Sequence, residues 1–411
     1  MNHLYNIFIK LIDNLILPTL GLFNSKIRRF KTNRFSLIKK INDEVLDKNN
    51  NIWFHVASLG EYEIAVPLIR AIKKKYKKKI ILTFFSESGF KLKNRIKEID
   101  NTYYLPLDTK SNAKRFLDAI NPQLVIFIRS EIWPNFLSEI KKRKIKCFLV
   151  ESRFKKNSRY LSGIQSILYL KKLNIFHKIF TTDQESKKIL NKVKINNVIV
   201  SGSLKIERVK DYLNDNYNNE IIESFKGEDL CIVCGSTWEA DEKIIFKYIK
   251  ESKKQTIKWI IAPHNTSKNN IERIKRSMPS KYSVYSELTN NNVHGNILIL
   301  NTIGDLKKIY RYSNISYVGG GMGSSGQHNI LEACVYNKPV IIGKNYSGFI
   351  EAEELVESGG VASIKDYTEF KLEVEKLIDN ENILLKKANI ITNYINSKTG
   401  ALKVIEQNIE I

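Results

Sequence analysis

Cysteine is scarce in this chain, four in 411 residues, which leaves no disulfide framework and fits a reducing compartment. Cys231 and Cys234 form a CxxC, but they lie in LCIVCGS, an apolar run that reads as a strand. Residues three apart in a strand point to opposite faces, which argues against a shared metal or a redox pair. Cys147 and Cys334 read as core residues. The six histidines are scattered without a metal-binding spacing. Acidic residues are in short supply, 43 against 67 basic, for a net charge of +24 and a pI near 9.6. Such a surface attracts anionic lipid, nucleic acid or phosphorylated substrates. Part of the excess sits in runs such as Lys73 to Ile81, KKKYKKKII, which read as a solvated face. No basic stretch is interleaved with aromatic residues in the manner of a nucleic-acid surface, and nucleic acid is not an expected partner. No solenoid-type repeat is present.

A long uninterrupted hydrophobic run is also missing. Leu4 to Phe23 is about one bilayer long but is broken by Lys10, Asp13, Asn14 and Pro18. Lys26, Arg28, Arg29, Lys31 and Arg34 follow at once, a cluster that keeps the following domain cytoplasmic or binds anionic lipid if the helix lies flat. Without a small-residue cleavage site, a retained anchor over residues 1–35 is expected rather than a removed signal peptide. The alternative is a hydrophobic first helix packed on the protein.

From Asn51 onward, short apolar runs alternate with amphipathic stretches of helical length. IWFHVA, KIILTFF, TYYLPL, QLVIFI, KCFLVES, KIFTTD and NVIVSG come first; DLCIVCGS, KWIIAP, YSVYS, GNILILN, ISYVGG and KPVIIG follow. This alternation predicts parallel sheets covered by helices, and 411 residues are enough for two such domains. The polar stretch Lys210 to Lys226 lacks apolar periodicity and marks the expected boundary, giving domains at 36–209 and 228–411 with a linker at 210–227. Two doubly wound domains imply a central cleft with ligands at the strands' carboxyl ends, an arrangement suited to group transfer.

Chemistry-bearing residues fall at those strand ends. HVASLGE places Glu61 at the start of a helix, where it serves either as a general base or as a helix cap. RSEIWPNF places Arg129 and Glu131 after a strand; Glu131 either steadies positive charge or pairs with Arg129. ESRF supplies Arg153, and SGSLK supplies Lys205, suited to an anionic leaving group. In the second half, CGSTWEADEKII brings Glu239 and Glu242 to a helix start. IIAPHN brings Pro263 and His264, and NTIGDLKKIY brings Ile303, Gly304 and Asp305. SYVGGGMGSSGQHNILEA reads as strand, glycine-rich turn and a helix opening near His328 and Asn329. Its glycines permit close backbone approach to a ligand, and Asn329 and Glu332, three apart, share a face that suits ribose hydroxyls. The spacing is not GxxxxGK[ST] and no lysine follows, so a P-loop is not expected. The bland alternative is a glycine-rich connection to an ordinary helix.

In their order and spacing, HVASLGE, LPLD, SEIWPNF, SGSLK, CGST, IGDLKKIY and VGGGMGSSGQHNILEA resemble the 3-deoxy-D-manno-octulosonic acid (Kdo) transferases of lipopolysaccharide biosynthesis, over roughly Trp53 to Gly360. The resemblance implies an α/β GT-B fold of two Rossmann-like domains, an N-terminal acceptor domain and a C-terminal CMP-sugar domain, with an N-terminal anchor in the inner membrane. It implies inverting transfer of Kdo from CMP-Kdo to the lipid A precursor lipid IVA, without metal or cofactor, on the cytoplasmic side. Glu61 then matches the general base, and Lys205 and Glu131 match residues stabilising the transition state. CMP contacts map to Pro263, His264, Ile303, Gly304, Asp305, Asn329, Ile330, Leu331 and Glu332. Arg129 stands where many members carry a first glutamate, and Pro263–His264–Asn265 lacks the family's arginine. Alternatives are a GT-B transferase or epimerase using a UDP-sugar, and a non-catalytic basic membrane-surface protein.

Overall fold

The computed structural model describes residues 2–411 apart from 46, 48, 49, 91–97, 157, 159, 162, 164, 165, 215, 255 and 289–293. The chain divides into two compact units, Met1–Arg208 with Thr399–Ile411, and Val209–Lys398. Each is built on one parallel sheet.

The first sheet comprises β1 (Asn51–Val56), β2 (Lys79–Phe84), β3 (Asn101–Tyr104), β4 (Pro122–Ile128), β5 (Lys146–Ser152), β6 (Lys178–Thr181) and β7 (Val198–Val200). Its order is β3-β2-β1-β4-β5-β6-β7. All pairings are parallel. The apolar runs form strands because helices cover both faces and alternate residues enter opposite cores. Trp53, Ile81, Val125, Phe127 and Leu149 pack on one side; Ile52, Phe54, Leu82, Leu124 and Ile126 pack on the other.

The second sheet comprises β8 (Cys231–Thr237), β9 (Lys258–Pro263), β10 (Tyr282–Val284), β11 (Ile297–Ile299), β12 (Ile315–Val318), β13 (Val340–Gly343) and β14 (Val361–Ile364). Its order is β10-β11-β9-β8-β12-β13-β14. In each sheet the strand order reverses beside the first strand, between β1 and β4 and between β8 and β12. Such switch points open a crevice at the strands' carboxyl ends. Cys231 and Cys234 are buried, unbridged members of β8, and only Cys234 joins the core that packs Ile232, Trp259 and Tyr317.

Two expected boundaries move. The stretch 210–227 packs as part of the second unit: Arg311 donates to the carbonyls of Tyr212 and Tyr217 (2.9 and 2.5 Å), the amide of Asn219 donates to the Tyr312 hydroxyl (2.9 Å), and Glu220–Lys226 is helical. Asp215, within that stretch, lies outside the described residues. At the other end, residues 399–411 leave the second unit. The helix Ala401–Asn408 buries Ala401 and Ile405, with Ile409 after it, in the core of the first sheet. Lys75 and Tyr76 bind its last carbonyls.

Candidate active site

In the first unit, β1 runs out at Val56 and the chain turns through Ala57 and Ser58 into the helix Leu59–Tyr76. Glu61 sits in that helix's first turn. Its Oε2 accepts the amide of Ala57, the residue before the N-cap Ser58, at 2.5 Å. Oε1 makes no hydrogen bond among the described residues. Burial raises the Glu61 pKa, the charge of Glu131 adds to this, and the Ala57 amide, Arg129 and His55 oppose it. A carboxylate raised toward neutrality with one open oxygen has the properties of a proton acceptor.

Glu131 follows β4 across the switch point. Its Oε2 lies 3.2 Å from His55 Nε2 and accepts the Trp133 indole N–H at 2.9 Å. His55 is fully buried on β1, with Nδ1 2.8 Å from Thr83 Oγ1, and that oxygen receives the Trp53 indole N–H at 2.8 Å. An ionised carboxylate can only accept, so the contact with Glu131 places a proton on His55 Nε2. The Thr83 hydroxyl has two acceptors in reach, His55 Nδ1 and the Phe54 carbonyl at 3.4 Å. The chain Trp53, Thr83, His55, Glu131 therefore fixes a carboxylate through a buried imidazole. The ion pair of Glu131 with Arg129 does not form, because Glu131 is committed to His55 and Trp133. Arg129 is exposed at φ +65°, a strained conformation for a residue with a side chain, yet its charge still acts on Glu61 and Glu151.

Lys205 lies in the helix Leu204–Lys210 after β7. The loop before it is held by Glu151 at the end of β5, itself at φ +59° and buried. Glu151 accepts the Ser203 hydroxyl at 2.5 Å and the Leu204 amide at 2.8 Å. Burial raises its pKa, and these two donors, Lys205 and Arg129 oppose the shift. Arg153 pairs with Asp183 at 3.4 Å. Glu61, Glu131 and Lys205 thus follow β1, β4 and β7, and Glu151 lies near the end of β5, all at the carboxyl end of one sheet.

In the second unit, β8 ends in Gly235, Ser236 (φ +53°) and Thr237, and the helix Glu239–Glu251 follows. The acidic residues of its first turn are each paired. Asp241, fully buried, accepts the Trp238 amide (2.9 Å), the Gly320 amide (3.0 Å) and the Tyr317 hydroxyl (2.7 Å). Glu242 accepts the Thr237 hydroxyl at 3.1 Å and pairs with Arg273 at 2.5 Å. Exposed Glu239 pairs with Lys243. The glycine-rich turn after β12 is tight for a visible reason. A Cβ on Gly319 would stand 2.5 Å from the Ser236 carbonyl oxygen, and one on Gly343 would stand 2.3 Å from the Gly321 carbonyl carbon.

The helix expected to open near His328 and Asn329 begins later and is one turn, Leu331–Cys334. The chain before it, residues 326–329, is neither helix nor strand, and the buried Gln327 side-chain amide donates to the carbonyls of Val318, Gly319 and His328. Asn329 and Glu332 do share a face, Nδ2 to Oε1 at 3.3 Å. Pro263 ends β9, and His264 donates its amide to the Thr237 carbonyl at 3.0 Å. The His264 ring stacks on Trp238 (4.7 Å) and on His328 (4.4 Å), and the Trp238 indole N–H donates to His328 Nε2 at 2.9 Å. Neutral His328 therefore carries its proton on Nδ1, and burial, with His264 beside it, lowers its pKa. Ile303 is 82% exposed and Gly304 takes φ +101° on the loop after β11, just before Asp305 and the short helix Leu306–Ile309.

Sequence reasoning singled out Glu61, Glu131 and Lys205 but missed His55, Glu151, Trp238, Asp241 and Gln327. His55 lies inside an apolar strand, where a lone polar residue with potential partners on the next strand is the available signal.

The family model of the 3-deoxy-D-manno-octulosonic-acid transferases (kdotransferase) matches residues 29–208. A bifunctional glycosyltransferase/methyltransferase of Fusobacterium nucleatum is 26% identical over 97% of this chain, and the chain spans 65% of that protein's length. The 3-deoxy-D-manno-octulosonic acid transferase of Aquifex aeolicus is 28% identical over 84% of this chain and 91% of its own. Among solved structures, the UDP-GlcNAc 2-epimerase from Neisseria meningitidis bound to UDP-GlcNAc superposes with a TM-score of 0.63 at 16% identity, covering 87% of this chain and 98% of that one. That likeness establishes the fold, GT-B type. Through most of its length the chain is similar to the 3-deoxy-D-manno-octulosonic acid transferases, and the family's model falls on its first unit.

Proposed function

We propose that this chain is a glycosyltransferase that moves Kdo from CMP-Kdo to a hydroxyl of the lipid A precursor lipid IVA, with inversion and without a metal, at the cytoplasmic face of the inner membrane. The observation that carries the reading is Glu61: a carboxylate at a switch point, raised by burial, with one oxygen uncommitted, inside the segment that matches the family model. In the reaction, Glu61 takes the acceptor's hydroxyl proton as its oxygen bonds to the anomeric carbon. The anomeric C–O bond to CMP breaks, and CMP leaves with the electron pair. Lys205, positioned by Glu151 through Ser203 and Leu204, offsets negative charge on the departing phosphate. Glu131, fixed by His55 and Trp133, meets the positive charge that develops on the sugar ring.

The second unit supplies the cytidylate site in this reading. The glycine turn gives the backbone close approach, Asn329 and Glu332 bind ribose hydroxyls, and Pro263, His264, Ile303, Gly304, Asp305, Ile330 and Leu331 line the nucleotide. His264, stacked over the hydrogen-bonded Trp238 and His328 rings, stands where the resembling family carries arginine. The basic surface and the first 35 residues hold the enzyme at a membrane that contains its acceptor. The test is a transfer assay with CMP-Kdo generated in situ and lipid IVA, with product mass as readout. Product heavier by one or more Kdo units supports the reading. No product, with tighter binding of UDP than CMP, replaces it with a UDP-sugar enzyme.

A further inference from the structure

The N-terminal segment is long enough to cross a bilayer, but its contacts give it another orientation. It runs as the helix Asn2–Leu11, a π-helical turn Ile12–Ile16 and the helix Leu17–Phe23. The π turn falls just before Pro18, which has no N–H to donate to the preceding turn. At about 1.5 Å per residue, the 21 residues His3–Phe23 span roughly 32 Å. Length alone therefore permits a crossing of a core about 30 Å thick.

The start of the segment and the stretch that follows it are bonded to the same unit, and its middle lines a groove with it. At the start, the Tyr5 hydroxyl donates to Asp108 Oδ2 at 2.7 Å, and Asn6 is buried. Asp108 is an internal anchor of the fold, fully buried and accepting the Asn135 and Phe136 amides at 3.0 Å each. In the middle, Asp13 and Leu17 line a groove with Pro106, Leu107, Asn112 and Arg115. Beyond the end, Arg34 donates to the carbonyls of Phe85 and Leu105 at 2.7 Å each, and its guanidinium covers the Phe30 ring at 3.6 Å. A crossing helix would put Tyr5 and Arg34 on opposite sides of a membrane, and one folded unit cannot hold both there.

The opposite face is apolar and bare. Leu4, Ile7, Phe8, Leu11 and Leu15, at helical spacing, are exposed, as are Leu22 and Phe23. Asp13 is the lone acidic residue among positions 1–35, and it faces the body; Lys10, Lys26, Arg28 and Lys31 are exposed. An apolar face with a cationic fringe and no exposed acid is complementary to one leaflet of an anionic bilayer.

We propose that residues 2–23 form an in-plane anchor, clamped to the body on one face and immersed by the other in a single leaflet, without crossing it. The proposal does not depend on the transferase reading. Its test uses the full-length chain on vesicles of phosphatidylethanolamine and phosphatidylglycerol, with single cysteines at Leu4, Leu11 or Leu22 carrying a nitroxide. The four native cysteines are buried. In-plane anchoring gives equal, shallow depths at all three sites, each within reach of a paramagnetic quencher added outside. A gradient of depth, with the label at position 4 reached only from the vesicle lumen, would overturn it. Labels shielded without vesicles, in a dimeric protein, would overturn it in favour of self-association. The variant with Phe8→Glu, Leu11→Glu and Leu15→Glu should lose vesicle flotation at least tenfold and stay folded by circular dichroism. Unchanged flotation counts against the proposal.

Discussion

The two switch points use their carboxylates differently. Beside β1 and β4, Glu61 keeps an oxygen open and Glu131 is aimed by an imidazole. Beside β8 and β12, Asp241 and Glu242 spend their oxygens on backbone amides, hydroxyls and an arginine. One edge leaves a carboxylate oxygen open and aims another through an imidazole. The other spends its carboxylates on holding a loop still and narrow. Three of the non-glycine residues with positive φ, Arg129 and Glu151 in the first unit and Ser236 in the second, stand at the carboxyl ends of strands.

The sharpest way to break this contrast is to fill the cradle. Gly343→Ala places a methyl group 2.3 Å from the Gly321 carbonyl carbon, where backbone must move. CMP affinity should fall by tenfold or more, with about 1–3 kcal/mol of lost stability seen by denaturant titration. Normal CMP binding by this variant would show that the turn does not need to be tight.

Next in size is Asp241→Asn. It retains volume but puts an amide where three donors converge, costing about 1–3 kcal/mol, with weaker CMP binding following the loss of the Gly320 contact. Thermal unfolding and calorimetric titration read the two effects. Stability lost with CMP affinity intact would separate Asp241 from the nucleotide loop.

The first unit should respond in its pH profile. A base must be deprotonated, so the transfer rate rises with pH through the Glu61 pKa, which lies above the ordinary 4.5. Arg129 lowers that pKa, so Arg129→Gln should move the acid limb to higher pH without changing the plateau. A limb that stays in place, or moves down, would assign the titration to another group. Asp108 adds a stability effect of opposite sense. Its pKa is pushed up to about 7, from 3.8, by burial against the opposing Asn135, Tyr5 and Phe136 hydrogen bonds. The folded state thus holds this proton more tightly, and its contribution is present below pH 4 and lost as pH rises toward 7. Asp108→Asn should flatten that decline in melting temperature.

The smallest effect is expected from Trp238→Phe, which keeps the stack on His264 but removes the N–H donated to His328. CMP affinity should weaken by only a few-fold. A loss as large as that of Gly343→Ala would make the His328 tautomer a principal determinant of binding.

Most of the fold was legible because its strands are buried on both faces and therefore read as continuous apolar runs. β14 was not: four residues, VASI, half of them partly exposed at a sheet edge, carry too little pattern. The return of Ala401–Asn408 to the first unit was also hidden, since an amphipathic face does not name the core it enters. At the site, Glu61 and Glu131 were legible as charges at strand ends. Their settings were not, because His55 reads as strand filler until Thr83 is placed beside it, and Gln327's hold on three carbonyls depends on a loop that only the folded chain defines.

The most direct test is Glu61→Gln, with Kdo transfer and CMP affinity measured on one preparation. Glutamine can still accept the Ala57 amide but cannot take a proton, so transfer should fall by about 10²–10⁴-fold while CMP binding and melting temperature remain those of the parent chain. Transfer within a few-fold of the parent would contradict the assignment of proton chemistry to the first switch point.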